Sequence, residues 1–175
     1  MSAAAAASSV DFAESLQEAP VASTEGWQLR RRAHREGDGM AVRKVAYVDI
    51  KVPRRAGEGA KVLRALKDAG VNLLAFTGFP DRGGKAQIDI VTDDLAGVRR
   101  VARSEGWRPS PVKKGLLVQG NDEVGAVYRQ LRKLADARIR VTAVDAVAAG
   151  KGRYGMILWV KPRDHARAAR ALGAR

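Results

Sequence analysis

The sequence predicts an α+β protein built from two ferredoxin-like βαββαβ repeats, each an antiparallel sheet with helices packed on one face. Three observations predict it. Apolar residues alternate with period two in some segments and recur at helical spacing in others, and these segments run strand, helix, strand, strand, helix, twice over. Gly57 and Gly125 differ by 68 positions, and at that gapless offset Leu63 meets Leu131, Arg64 meets Arg132, Leu66 meets Leu134, Asp68-Ala69 meets Asp136-Ala137, and Ala75 meets Ala143. The matches fall in phase with the separately read elements, which two chance amphipathic helices would not explain.

The first strand is Lys44–Val52 (KVAYVDIKV), alternating and β-branched. Gly57–Lys67 reads as a helix with Val62, Leu63 and Leu66 on one face and Gly70 at its end. Val71–Phe79 is a second strand, Pro80-Asp81-Arg82-Gly83-Gly84 a hairpin loop, and Lys85–Val91 a third strand. Asp93 or Asp94 caps a helix that runs to about Ser104 on Leu95, Val98 and Val101. Pro109–Lys114 is expected to close the unit as a short edge strand or to begin the link.

The order then repeats. Gly115–Gly120 is a strand, and Asn121 or Asp122 caps a helix through Asp136 with Val124, Val127, Leu131 and Leu134 inward. Ile139–Val147 is a strand, Ala148–Gly152 a turn, Arg153–Val160 a strand and Asp164–Leu172 the last helix. The closing strand of this half is short or missing. A β-α-β-β-α order places both helices of a unit on one sheet face. Tyr47, Asp49, Gln87 and Asp89 predict a partly polar opposite face.

Composition narrows the chemistry. The chain is 46% hydrophobic but only 5% aromatic, so its core rests on Val, Leu, Ile and Ala. It has no cysteine and only two histidines, His34 and His165, which removes disulfides and thiolates and leaves little for zinc or a catalytic triad. No metal site and no cofactor are expected. No apolar run reaches the roughly 18–20 residues of a membrane helix and no signal peptide is visible, so a cytoplasmic protein is expected. Net charge is +13, unevenly placed: residues 1–39 hold four arginines against six acids, and residues 40–175 hold 28 basic against 13 acidic side chains. Such a balance permits nucleic-acid or anionic-ligand binding, although a solubilising surface is the favoured explanation.

Residues 1–39, rich in Ala, Ser and Glu, read as a disordered N-terminal tail, with loosely helical spacing over Val10–Leu16. Met40 is a candidate translation start, with native tail as the alternative. The repeats are placed at 40–114 and 115–175.

A strand ending in a polar turn, a glycine opening a helix, then Gly-Val-Asn-Leu starting the next strand resembles the ACT family of regulatory domains. The first repeat carries Arg54-Arg55-Ala56-Gly57 and Gly70-Val71-Asn72-Leu73; the second carries Asn121-Asp122-Glu123-Val124-Gly125 and Arg138-Ile139-Arg140-Val141. The resemblance spans roughly Lys44 to Leu172. It implies a non-catalytic tandem ACT protein that binds an amino acid and forms a homodimer. It maps ligand contacts onto Arg54, Arg55, Gly57 and Asn72 in the first repeat and Asp122, Glu123 and Gly125 in the second. A turn of this kind suits a carboxylate, because the free N–H groups and the dipole of a helix start favour an anion and glycine lets it approach. The family's proline before the glycine is Ala56 and Val124 here, and Asn72 has Arg140 as its counterpart. If the turns converge, the basic one receives a ligand carboxylate and the acidic one its ammonium; otherwise the turns pair with each other or face water.

Two other readings remain. RNA-recognition domains share this layout and are often basic, but they display paired aromatics. Here Lys85–Ile90 has no aromatic, and Tyr154 and Trp159, five apart, fall on opposite faces of a strand. RNA is therefore the less favoured partner, and a dimerisation module without ligand is the third reading. No nucleophile–base pair or phosphate loop stands out; Gly57-Glu58-Gly59 is too short for a dinucleotide fingerprint. Trp107 and Trp159 read as packing or dimer-interface residues rather than ligand stackers, His165 as a surface residue, and Asp49 as edge-exposed or paired with a basic neighbour.

Overall fold

A computed structural model of the chain describes residues 40–174. The tail expected over 1–39, its short helix near Val10–Leu16 and the question of the start site lie outside them. The elements are β1 (Ala41–Pro53), α1 (Glu58–Asp68), β2 (Ala75–Asp81), β3 (Lys85–Val91), α2 (Leu95–Ser104), β4 (Lys113–Asn121), α3 (Ala126–Asp136), β5 (Val141–Gly150), β6 (Arg153–Val160), a 3-10 turn (Pro162–Asp164) and α4 (His165–Leu172). The six strands form one antiparallel sheet in the order β2-β3-β1-β4-β6-β5.

This order explains the absent closing strand. Residues 47–53 of β1 pair with β3, and residues 41–47 pair with β4. The strand β4 thus completes the first repeat as β2-β3-β1-β4, and β1 completes the second as β5-β6-β4-β1. Each repeat takes the other's first strand as its fourth, and β4 spans the boundary placed between residues 114 and 115. The separate edge strand expected over Pro109–Lys114 does not form. Pro109 and Pro111 have no N–H to give a ladder. Instead the Ser110 N–H donates to the Asp49 carbonyl (2.8 Å), and the Asp49 N–H donates to Ser110 Oγ (3.0 Å).

The duplication extends to backbone geometry. Gly57 and Gly125 cap α1 and α3 in the left-handed region, φ 88° and 78°. At the other helix ends Gly70 (φ 71°) is matched by Arg138 (φ 54°). Both donate N–H to the carbonyl three residues back, and the next residue donates to the carbonyl five back, Val71 to Leu66 and Ile139 to Leu134, each at 2.9 Å. Ala46 and Lys114 are equivalent at the 68-residue offset and also register partners, so the pseudo-twofold axis passes between them.

All four helices lie on one sheet face. Val48, Ile50 and Val52 with Val62, Leu66, Val98 and Val101 form the first repeat's core; Leu116, Val118, Met156 and Leu158 with Leu134, Ala168 and Leu172 form the second's. A third cluster sits on the opposite face, where Val45, Val91, Leu117, Ile157 and Trp159 are buried beside Tyr47. Trp159 is a packing residue there, edge-on to Tyr47 at 6.1 Å, and Trp107 packs against the first core.

Several expectations are corrected. Val124 is 98% exposed, because the helix begins only at Ala126, after the left-handed Gly125. Leu63 is more than a third exposed while Val62 and Leu66 are buried. His165 is buried, not at the surface. The repeats lose one residue before the last helix, so His165 takes the place of Val98, and its Nε2 lies 3.2 Å from the Gly115 carbonyl. Paired residues of β2 start at Ala75, since the Val71 N–H is spent on the end of α1. Pro80 belongs to β2, on an edge where its missing N–H costs no ladder bond.

Candidate functional site

The stretch Arg54–Gly57 follows β1, and its backbone is tied down on both sides. The Arg54 N–H donates to the Gly84 carbonyl of the β2–β3 hairpin at 2.8 Å, and the Lys61 N–H donates back to Gly57 at 2.9 Å. Lys51 Nζ meets Asp81 Oδ2 at 2.6 Å, reaching across β3 to fix the hairpin; this hydrogen bond, with one from the Arg82 backbone, holds the Asp81 carboxyl below its usual range. The second turn repeats the geometry. The Asp122 N–H donates to the Gly152 carbonyl at 2.8 Å and the Arg129 N–H to Gly125 at 2.9 Å, each 68 positions on.

Equal backbones carry unequal side chains. In the first turn Arg54, Arg55 and Gly57 are exposed, and neither guanidinium is held in an ion pair among the described residues. Among the described residues nothing lies within 4 Å of a Cβ placed on Gly57. Beside it is a cleft of about 360 Å³ between Arg54, Arg55 and Glu58 on one side and Phe76, Ala86 and Ile88 on the other. In the second turn Arg129 Nη2 donates to Glu123 Oε2 (3.0 Å) and its Nη1 to the Val124 carbonyl (3.2 Å). That guanidinium lies 3.9 Å from a Cβ placed on Gly125, so it covers the turn from within. Arg153 likewise donates to Asn121 Oδ1 at 2.7 Å.

The turns do not converge in one chain. Gln119, two residues before the end of β4, pairs with Ala41 at the start of β1, whereas Arg54 follows the end of β1. Pro53 lies twelve residue steps along the strand from Ala41, roughly 40 Å at about 3.3 Å per residue. Antiparallel pairing of β1 with β4 therefore sends Arg54 and Arg55 to one end of the sheet and Asp122 and Glu123 to the other. Asn72 is also set apart from the first turn: α1, about 16 Å long at 1.5 Å per residue, stands between them. Asn72 lines a cleft of about 950 Å³ with Arg64, Lys67 and Asp68 at the carbonyl end of α1, which favours cations over carboxylates. Its carbonyl accepts from Thr92 Oγ1 at 2.6 Å.

The structure thus brings together Arg54, Arg55 and Gly57, and adds Phe76, Ala86 and Ile88, which sequence reasoning missed. Ile88 and Phe76 carry the signal of strand alternation, but only the pairing of Phe76 with Ile90 and Gly78 with Ile88 places that edge beside the turn. Among the described residues no group of three or more His, Cys, Asp or Glu side chains could hold a metal ion, and no helix is long and apolar enough to cross a membrane.

Neither a protein-family model nor a curated protein sequence matches the chain. Solved structures do. The chain is similar to protein BT0572 from Bacteroides thetaiotaomicron, with a TM-score of 0.64 and 13% identity over 77% of this chain and 88% of that one. It is similar to the ligand-free regulatory subunit of aspartate kinase from Thermus thermophilus, with a TM-score of 0.53 and 17% identity over 77% and 95%. The regulatory subunit of aspartate kinase from Thermus flavus gives 0.50 and 16% over 77% and 95%. At these identities the likeness is one of fold, the ACT-like ferredoxin-type architecture.

Proposed function

We propose that this chain is a non-catalytic regulatory protein that binds a small carboxylate ligand, an amino acid by preference, at the Arg54–Gly57 turn of its first repeat. The observation that carries the reading is the contrast between two turns of one backbone geometry. The second is filled by Arg129, while the first is open, cationic and bordered by a cleft of about 360 Å³. That cleft is at the small end of the range for ligand pockets, suited to an amino acid. Arg54 or Arg55 would take the carboxylate, aided by the N–H groups at the start of α1, and Phe76 and Ile88 would receive an apolar side chain. Asn72, Asp122, Glu123 and Gly125 would not join that site within one chain. The likeness to aspartate kinase regulatory subunits supports a regulatory role through the fold alone. Ligand would act by favouring one arrangement of the protein with a partner over another.

RNA is less well supported. Tyr154 is buried in the second repeat's core and Trp159 in the cluster on the opposite face, so neither ring is offered to a base. A homodimer belongs to the proposal, because β2 and β5 leave two sheet edges unpaired among the described residues and β5 is largely exposed.

A thermal-shift series of the full chain against the standard amino acids tests the reading. One amino acid should raise the melting temperature with the logarithm of its concentration. Arg54→Ala with Arg55→Ala should abolish that shift, and Glu123→Ala should leave it. A flat response to every amino acid, or a shift that survives loss of both arginines, overturns the site. Sedimentation should give a dimer mass; a monomer throughout overturns the homodimer.

A further inference from the structure

On the helix face, over the β1–β4 junction, lies a second cleft of about 460 Å³. Its rim is Lys44, Lys114 and Arg170, its wall includes His165, and its floor is made of alanines from β1 and α4. Among the described residues no acidic side chain lines it. None of the three cations has an ion-pair partner among the described residues. The register puts Lys114 opposite Ala46 and Lys44 opposite Leu116, so the two lysines are diagonal neighbours on one face of adjacent strands. Elsewhere this face of the two strands is core: Val42, Val48, Leu116 and Val118 are all buried.

Two uncompensated lysines side by side at the edge of a core oppose folding by mutual repulsion. The duplication supplies an internal control for whether the fold needs them. At the repeat offset Lys44 corresponds to Val112, Lys114 to Ala46 and, one residue shifted, His165 to Val98. The fold therefore builds the same backbone with an apolar residue at each of these three positions, whereas Arg170, shifted likewise, corresponds to Arg103. Small side chains on α4, Ala166 and Ala169, leave the space open.

We propose that this junction cleft is a binding site for a phosphorylated small molecule, with the phosphate held by Lys44, Lys114 and Arg170 and the uncharged body on the alanine floor. Three cations without an acid suit a group of two negative charges better than a single carboxylate. Lysine supplies point charge and arginine a fork that matches phosphate oxygens. The volume lies within the usual range for small-molecule sites. The site is distinct from the Arg54 turn, eight residues along β1 from Ala46, roughly 26 Å at about 3.3 Å per residue. Because the cleft sits on the seam between repeats, a ligand there would bear on how they are held together.

The test is calorimetry and thermal shift of the full chain with three probes: inorganic pyrophosphate, AMP and a short single-stranded RNA. Lys44→Val and Lys114→Ala install what the other repeat carries at the equivalent position, and Arg170→Ala changes an exposed helix position. Pyrophosphate or AMP should bind the unaltered chain, and each variant should weaken binding by about tenfold or more, the loss of one charge-assisted contact. In buffer free of phosphate Lys44→Val and Lys114→Ala should melt at the same or a higher temperature, while at ~10 mM pyrophosphate only the unaltered chain should gain stability. Arg54→Ala should leave this binding intact, which separates it from the amino-acid site. Equal binding by the unaltered chain and the Lys44→Val/Lys114→Ala double variant overturns the proposal. So does binding of RNA alone, falling steeply with salt, since that would assign the basic surface to a nucleic-acid backbone.

Discussion

Asp49 and Asp89 face each other as register partners on β1 and β3, and both carboxylates are buried, at 6% and 5% exposure. Among the described residues only one has an ion-pair partner: Lys113 Nζ bonds Asp49 Oδ1, while Asp89 Oδ1 accepts from the neutral Gln87 amide at 2.8 Å. Asp49 therefore pairs with a basic residue, one of the two outcomes expected from sequence.

Burial pushes the Asp89 carboxyl above its ordinary range; the Gln87 hydrogen bond opposes this and the Asp49 charge adds to it. A group raised in the folded state holds its proton longer there than in the unfolded chain. Its stabilising effect is thus complete below the unfolded carboxylate value and is lost as pH rises through the folded one. Asp89→Asn keeps an oxygen for Gln87 and removes the charge. It should stabilise the protein at pH 7 by roughly 0.2–1 kcal/mol, the size of one cross-strand pair. Chemical denaturation at pH 7 and again near pH 3 checks it; the gain should vanish in acid.

The same two carboxylates act on Tyr47. Burial first, then Asp89 and Asp49, push its phenol up to about 12. The unfolded chain releases this proton near 10, so Tyr47 contributes stability that is complete below pH 10 and drains away toward pH 12. Ultraviolet titration of the native protein should show a late tyrosine step near pH 12 that Tyr47→Phe removes. Replacing both Asp49 and Asp89 by Asn should move that step to lower pH.

Much of the fold was legible because strand alternation, helical spacing and glycine punctuation all fell in one phase. What the sequence could not show were relations between distant segments. Nothing local to Lys113–Asn121 says that this strand serves both repeats, so sequence alone leaves Pro109–Lys114 as either a closing edge strand or the start of the link. Val124 fits a helical face by spacing, and only the left-handed Gly125 throws it into solvent. His165 looked like a surface residue on a polar helix, because one missing residue shifts its register onto Val98. At the candidate site, Arg54, Arg55 and Gly57 are neighbours in sequence and stayed together. Asn72 was drawn in by the family pattern but stands beyond a whole helix, and the acidic turn was carried away by antiparallel pairing.

Arg138 occupies a left-handed position that its counterpart fills with Gly70. A Cβ costs energy in that region, and the same backbone hydrogen bonds form at both helix ends. Arg138 is exposed, so its side chain gives little packing in return. Arg138→Gly should therefore stabilise by about 0.5–1 kcal/mol, the relief of strain less the added freedom of glycine when unfolded. The reverse change, Gly70→Arg, should destabilise by a similar amount. Urea midpoints of the two variants, moving in opposite directions, check the pair.

Gly97 is held by contact rather than by conformation. It lies in the first turn of α2, and its N–H donates to Asp94 Oδ1 at 2.7 Å, the cap of that helix. A Cβ there would come within 2.2 Å of Asp94 Oδ2 and 2.8 Å of Val71 Cγ2. The carboxylate would have to leave, and Val71, which is buried against the first core, has nowhere to go. Gly97→Ala improves helix propensity by about 1 kcal/mol, but it should lose the cap, worth about 1 kcal/mol, and add overpacking of about 1–3 kcal/mol. The net should be a loss of about 1–3 kcal/mol. The control is Asp94→Ala, which removes the cap without the clash and should cost only about 1 kcal/mol. In denaturant melts Gly97→Ala should fall below Asp94→Ala. If the two unfold together, Val71 yields more easily than a packed core allows, and the contact between α2 and the segment leading into β2 is looser than the geometry implies.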